Sequence, residues 1–139
     1  MSKMELYLKI DPDGTVSWIP LCRKPIYNPI YNGAEGIELR DLYSVIGCSC
    51  VEQVYSRIRG VVFMVDESGK VKTPMQPLNP LASKLYAGAP YGDMIHGPVV
   101  LFSLRPTPPI GELDLFPLSQ DELFRVSLCL GVEIPEVIK

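Results

Sequence analysis

The sequence lacks the residue patterns that usually mark catalytic or metal-binding sites. It contains a single histidine, His96, and its 4 cysteines include no Cys-x-x-Cys pair. A structural zinc site needs about four Cys, His or carboxylate ligands at suitable spacing. There is also no Gly-x-Ser-x-Gly nucleophile elbow and no glycine-rich phosphate loop. We therefore expect no metal and no cofactor, assign no catalytic residue, and regard an enzyme as the less favoured alternative.

Long apolar runs and an excess of basic charge are absent as well. No run approaches the roughly 18 apolar residues of a membrane-spanning helix, and the first residues show no signal-peptide pattern. The net charge is −3, from 13 basic and 16 acidic residues, whereas domains that bind nucleic acid are usually clearly basic. We expect a cytoplasmic protein with reduced cysteines that binds neither nucleic acid nor membrane.

Length and composition predict a single domain over residues 1–139. A chain of 139 residues with 47% hydrophobic content lies near the commonest domain size. The 14 prolines and 11 glycines exceed average usage. Short helices and strands joined by many turns are therefore expected.

Alternating and continuous apolar runs predict the strands. Leu6, Leu8 and Ile10 alternate with polar residues, and Asp11-Pro12-Asp13-Gly14 is a tight-turn sequence, so a β-hairpin is predicted here. The Pro-rich or irregular segments 22–36 and 105–114 are interpreted as loops. The remaining predicted strands are residues 15–21, 48–55, 61–65, 70–72 and 94–104, the last interrupted at Gly97-Pro98.

Apolar spacing and capping residues predict three helices. Residues 37–46 carry apolar side chains on one helical face. A second helix of about two turns begins at Asn79, which can cap free N–H groups. Ser119 and Glu122 form a capping box at the start of a third, which has a broad apolar face. Glycines are expected to end the three helices: Gly47, Gly88 and Gly131.

Together these elements predict an α+β fold. We expect a small antiparallel or mixed β-sheet of about five to six strands with about three short helices. The C-terminal helix is expected to pack on the sheet.

The stretch between Val65 and Asp93 is the candidate binding region. The start of the Asn79 helix offers free N–H groups that could take an anion, with Lys70 or Lys72 nearby. Alternatively, Asn79 only caps its own helix and the stretch only reverses the chain. Tyrosines in loops are favoured at protein interfaces, although they also fill the edges of cores. The candidate ligand- or partner-binding residues are Asn79, Lys70, Lys72, Tyr86, Tyr91, Asp93, His96, Tyr27 and Tyr31.

The centre of the chain resembles an uncharacterised family known as domain of unknown function 3846. The likeness lies in the order of parts: a hydrophobic strand ending in Val-Asp, a Glu/Gly/Lys turn, Asn-x-Leu-Ala, Gly-Asp and a second hydrophobic strand. Here these parts are residues 61–66, 67–70, 79–82, 92–93 and 98–102. The resemblance implies a setting in bacteria, phages or other mobile elements. It implies no activity and no catalytic residue.

Three functional hypotheses follow. The leading one is a non-enzymatic binding or interaction protein of a bacterial mobile element that acts on a host protein or holds a small ligand. The first alternative is a protein or enzyme that binds a nucleotide-like ligand at the Asn79 helix start, with Lys70 or Lys72, Asp93 and His96. The second alternative is a homo-oligomeric structural module, such as a homodimer formed through an exposed strand edge.

Overall fold

The computed structural model of the protein describes residues 3–25, 35–69, 76–107 and 112–136. Lys70, Lys72, Tyr27 and Tyr31 lie outside the described residues, as does the strand predicted at 70–72. The strands are β1 Lys3–Ile10, β2 Val16–Pro25, β3 Glu35–Ile37, β4 Val51–Tyr55, β5 Val61–Asp66, β6 Val99–Thr107 and β7 Glu112–Phe116. The helices are α1 Leu39–Ile46, α2 Pro80–Leu85 and α3 Gln120–Leu130, with a 3-10 turn at Ala89–Tyr91.

All seven strands belong to one antiparallel sheet with the order β3-β2-β1-β6-β5-β4. The first half of β6 pairs with β1, and its second half pairs with β7. The predicted α+β class is confirmed, with seven strands where about five to six were expected. The two strands that we did not predict are β3, in the segment interpreted as a loop at 22–36, and β7, in the Pro-rich connection.

The predicted hairpin of β1 and β2 is confirmed, and its turn explains the register. Gly14 has φ of 90°, a left-handed conformation that a residue with a Cβ adopts at a cost in energy. The Gly14 amide donates to the Asp11 carbonyl at 2.9 Å, and the Asp11 amide donates to the Thr15 carbonyl at 2.9 Å. The turn therefore sets Ile10 opposite Val16, and the ladder continues from there to Lys3.

The sheet separates two apolar layers, because its central strands bury side chains on both faces. All residues of β5 are buried, as the continuous apolar run predicted. Val61, Phe63 and Val65 pack on one face with residues of α2 and α3. Val62 and Met64 pack on the other face with Leu42 and Ile46 of α1. The helices thus cover both faces of the sheet.

Several predicted boundaries were wrong. Strand β2 continues to Pro25, within the segment interpreted as a loop, and β4 begins at Val51 instead of Cys48. Helix α2 ends at Leu85 instead of continuing to Gly88, because Tyr86 turns extended and forms a bridge with Ser56. The strand predicted to begin at residue 94 begins instead at Val99, after the proline. A proline has no N–H to donate to a sheet, which suits a position just before the strand.

Helix α3 has the capping box that was predicted from Ser119 and Glu122, and Gly131 ends it in a left-handed conformation. Its apolar face is narrower than expected. Val126 and Leu130 are buried, whereas the Phe124 and Leu128 side chains are 63% and 67% exposed. Across the described ranges, none of the helices combines the length and apolar content that a transmembrane segment requires.

A buried arginine joins the β1–β2 hairpin to β7. Arg23 is 6% exposed, and its Nε donates to a Glu5 carboxylate oxygen at 2.7 Å. The guanidinium also donates to Asp114 at 3.3 Å and to the Leu115 carbonyl, and it lies 4.4 Å from the centre of the Phe116 ring. Because β7 pairs with β6 and not with β1, this cluster provides the polar contact between the two parts of the sheet.

Replacing Arg23 by methionine should lower the free energy of unfolding by about 3 kcal/mol, because it removes a buried cation and leaves the partly buried carboxylates of Glu5 and Asp114 without it. Urea denaturation would measure the change. The matched control is Arg125→Met, since Arg125 is an exposed residue that pairs with Asp121 at 2.9 Å on α3. We expect that control to lose only about 0.5 kcal/mol. Equal losses for the two variants would contradict a structural role of the Arg23 cluster.

Candidate functional site

The side chain of Asn79 is completely buried and is used within the fold. Its Oδ1 accepts the amide of Ala82 at 3.1 Å, which caps the start of α2 as predicted. Its Nδ2 donates to the carbonyl of Ile10 at 3.0 Å and to the carbonyl of Gly97 at 2.9 Å. One side chain therefore ties α2 to β1 and to the segment that precedes β6.

The main chain of Asn79 adds a second set of contacts. Its amide donates to the Ile95 carbonyl at 2.8 Å, and its carbonyl accepts the Ser83 hydroxyl at 2.7 Å. The same hydroxyl oxygen accepts the Ile95 amide at 2.9 Å. Both N–H groups of the Asn79 side chain are thus used internally, and the residue is 0% exposed. Asn79 therefore has no exposed atom that a ligand at this helix start could contact.

After α2 the chain forms a loop, residues 87–93, that is fastened to β4. The amide of Ala87 donates to the Tyr55 carbonyl at 3.1 Å. The Tyr86 hydroxyl donates to the Asp93 carboxylate at 2.8 Å, which closes the loop from its other end. A Cβ at Gly88 would lie 2.7 Å from the Tyr86 ring, so only glycine fits beneath the ring.

Three tyrosines belong to this loop or to the residues that hold it, and two of them are strongly exposed. Tyr91, in the 3-10 turn, is 89% exposed, and Tyr55, at the end of β4, is 66% exposed. Tyr86 is half-buried, and its burial, followed by the hydrogen bond to Asp93, raises its pKa to about 12. The three residues have separate roles: Tyr86 fixes the loop, while Tyr55 and Tyr91 present ring surface to the outside.

A small cavity of about 90 Å³ lies beside Tyr86, against β4 and β5. Its lining is rich in carboxylates, and no Lys or Arg occurs among the described residues that line it. His96 contributes a ring whose Nδ1 lies 3.1 Å from the Gln76 carbonyl oxygen. The polar residues that line the cavity are Glu52, Asp66, Glu67, Tyr86, Asp93 and His96.

Hydrogen bonds hold two of these carboxylates in position. Asp66 accepts the Ser68 amide at 3.0 Å and the Gln76 side-chain amide at 3.2 Å. Glu67 accepts the Cys50 thiol, and this contact raises the pKa of that thiol. Within the described parts of the chain, no three His, Cys, Asp or Glu side chains are arranged to hold a metal ion. The described lining of the cavity thus includes four carboxylates, of which Asp66, Glu67 and Asp93 accept hydrogen bonds.

The structure brings together some of the predicted site residues. Tyr86, Asp93 and His96 line the cavity, whereas Tyr91 lies on the neighbouring loop and Asn79 lies in the core. Two further groups of residues were not predicted as site residues: Tyr55, and the acidic set Glu52, Asp66 and Glu67. The adjacent Asp66 and Glu67 are visible in the sequence, but as turn residues, and the exposure of Tyr55 depends on its place at the sheet edge.

Fold and site together define a small α+β protein with one antiparallel sheet and a small cavity lined by carboxylates. A family model described as a domain of unknown function (DUF3846) matches residues 8–108. Since the match covers well over half of the chain, the protein belongs to this family, and the resemblance seen in its central residues is confirmed. No curated protein and no solved structure gives a significant match.

Replacing Asn79 by alanine should lower the free energy of unfolding by about 3 kcal/mol, because it removes a helix cap and leaves two buried carbonyls unpaired. The matched control is Ser119→Ala, which removes the cap of α3 alone and should cost about 1 kcal/mol. Chemical denaturation of both variants measures the difference. If the two substitutions cost the same, the bonds to Ile10 and Gly97 contribute nothing.

The raised pKa of Tyr86 predicts a loss of stability in alkali. The fold favours the neutral phenol, so its contribution is complete below pH 10 and is lost as the pH rises from 10.0 to about 12. Tyr86→Phe should therefore show a shallower fall in the free energy of unfolding over this range. Tyr91→Phe, at an exposed position, is the control and should fall as the wild type does. A Tyr86→Phe curve parallel to the wild type would contradict the assignment.

Proposed function

We propose that the protein is a non-enzymatic interaction module that binds a protein partner around the edge strand β4, through Tyr55, Tyr91 and the carboxylate-lined cavity. The observation that carries this proposal is the exposure of two tyrosines: Tyr55, on β4, is 66% exposed, and Tyr91, within the anchored loop, is 89% exposed. Tyrosine is enriched among the residues that dominate binding energy at protein interfaces. We further propose a cytoplasmic, bacterial mobile-element setting, which the family resemblance implies.

Anchoring of the loop favours binding because it limits the entropy lost when a partner docks. The Tyr86–Asp93 hydrogen bond and the Ala87–Tyr55 hydrogen bond hold the loop at both ends. Tyrosine itself has few rotatable bonds and offers a large ring, so an ordered tyrosine gives much contact area at low conformational cost. The surface is therefore preorganised for association.

Size and charge of the cavity favour a protein partner over a nucleotide. Pockets for small molecules usually enclose about 300–1,000 Å³, whereas this cavity has about 90 Å³. Its carboxylates would repel phosphate groups. A cationic side chain of a partner protein fits both its volume and its sign. These features support the leading hypothesis and give no support to the nucleotide alternative.

Exchanging the two exposed tyrosines for alanine tests the proposal. Tagged wild-type protein and the Tyr55→Ala/Tyr91→Ala variant would be purified from a natural bacterial host, and bound proteins would be quantified by mass spectrometry. A partner should be recovered with the wild type and reduced at least about tenfold with the variant, because each lost tyrosine contact is expected to exceed 1 kcal/mol.

A second pair of exposed apolar residues provides the matched control. Phe124→Ala/Leu128→Ala removes two large exposed side chains from α3, at residues 63% and 67% exposed. This control should retain the partner. Thermal melts of all three proteins would establish that each is folded. Equal loss of the partner in both double variants, or retention in both, would contradict the proposed surface.

A further inference from the structure

Strand β4 is the last strand of the sheet, and the alternation of its hydrogen bonds shows which groups face outward. The Ser56 amide donates to the Val61 carbonyl at 3.2 Å, and the Glu67 amide donates to the Cys50 carbonyl at 3.1 Å. In an antiparallel pair, successive residues alternate between bonding the neighbour and facing away from it. The even-numbered residues of β4 therefore bond β5, and the odd-numbered residues direct their N–H and C=O groups outward.

Part of this outer edge is already paired. The Tyr55 carbonyl accepts the Ala87 amide at 3.1 Å, and the Arg57 amide donates to the Leu85 carbonyl at 2.7 Å. Both edge groups belong to odd-numbered residues, as the alternation requires. Residues 85–87 thus serve as a very short strand at one end of the edge.

The rest of the edge is unpaired within the part of the chain that the structure describes. Val51 and Gln53 each have an N–H and a C=O with no main-chain partner there, and so does the Tyr55 N–H. Gln53 is exposed. An extended peptide that adds to such an edge gains main-chain hydrogen bonds, while the side chains beside it determine specificity.

We propose that this edge accepts an extended, basic segment of the partner as an added strand next to β4. This inference rests on the proposed interaction function and names the chemistry of the partner. Glu52 and Val54 lie on the face of β4 that borders the acidic cavity. A Lys or Arg on the same face of the added strand would be a cross-strand neighbour of Glu52, close to the other carboxylates. Tyr55 is the last residue of this edge strand, and Tyr91 belongs to the loop whose Ala87 amide donates to the Tyr55 carbonyl.

Charge argues against a second copy of the chain as the added strand. Antiparallel pairing of two β4 strands about Gln53 would bring two Glu52 residues and two acidic cavities close together, and like charges across strands are destabilising. Residues 85–87 of each copy would also limit the paired length, because they already occupy the edge beyond Tyr55. A short basic peptide avoids the repulsion between like charges and needs to pair only with residues 51–55.

The probe for this inference is a displayed library of random ten-residue peptides, selected against the full chain. We expect the enriched peptides to be basic and to alternate Lys or Arg with β-branched or aromatic residues. Their affinities for the wild type would be measured by fluorescence anisotropy. Failure to enrich any peptide, or enrichment of acidic ones, would overturn the inference.

Gln53→Pro is the variant that separates strand addition from other modes of binding. Its N–H points outward and is not used in the sheet, so proline removes an edge donor and leaves the pairing with β5 intact. The selected peptides should bind this variant at least tenfold more weakly. Glu52→Gln should weaken binding of the basic peptides as well. Unchanged affinity for Gln53→Pro would refute strand addition.

Amide hydrogen exchange of the wild type gives a readout that does not depend on any variant folding. Peptide binding should slow exchange at Val51, Gln53 and Tyr55, whereas Glu52 and Val54, already bonded to β5, serve as internal controls and should change little. Uniform changes, or none at the odd-numbered residues, would contradict the inference. If peptide affinity falls in Tyr55→Ala/Tyr91→Ala but not in Gln53→Pro, the interaction function stands and strand addition does not.

Discussion

The buried amide of Asn79 is the interaction on which the arrangement of the site depends. Its oxygen begins α2, and its nitrogen reaches the carbonyls of Ile10 and Gly97, which lie 69 and 18 residues away in sequence. A buried polar group left without partners is costly, so this side chain specifies a single relative position of the helix and the sheet. The helix in turn delivers residues 85–87 to the edge of β4, where their main chain pairs.

This anchoring explains why the polar residues between 76 and 97 divide into two groups. The side chains of Asn79 and Ser83 form their hydrogen bonds inside the fold, where both residues are buried. Tyr91 projects from the fold, and Tyr86, Asp93 and His96 line the cavity. The sequence left open whether this Pro-rich stretch binds a ligand or only reverses the direction of the chain. The buried side chains of this stretch hold the chain reversal in place. Its exposed side chains form part of the surface that we propose for a partner.

Sequence reasoning succeeded where the determining interactions are local and failed where they are distant. The caps at Asn79 and Ser119 were predictable because each involves residues three positions apart. The β7 strand was missed because its pairing with β6 is hidden in a Pro-rich segment. The early end of α2 was missed because it depends on Ser56, 30 residues from Tyr86. The cavity could not be predicted, since its carboxylates come together only when β4, β5 and the loop before β6 meet.

The most direct test of this account is hydrogen exchange of the Asn79 side-chain amide, followed by NMR in the free protein. Both Nδ2 protons are buried and bonded to carbonyls. We expect two well-separated resonances for these protons. The protons should exchange with solvent only as fast as the protein unfolds globally, at the rate of the most protected amides of β5 and β6. Exchange at the rate of an exposed asparagine would show that Asn79 does not anchor the helix. The loop and the proposed surface would then lack their support.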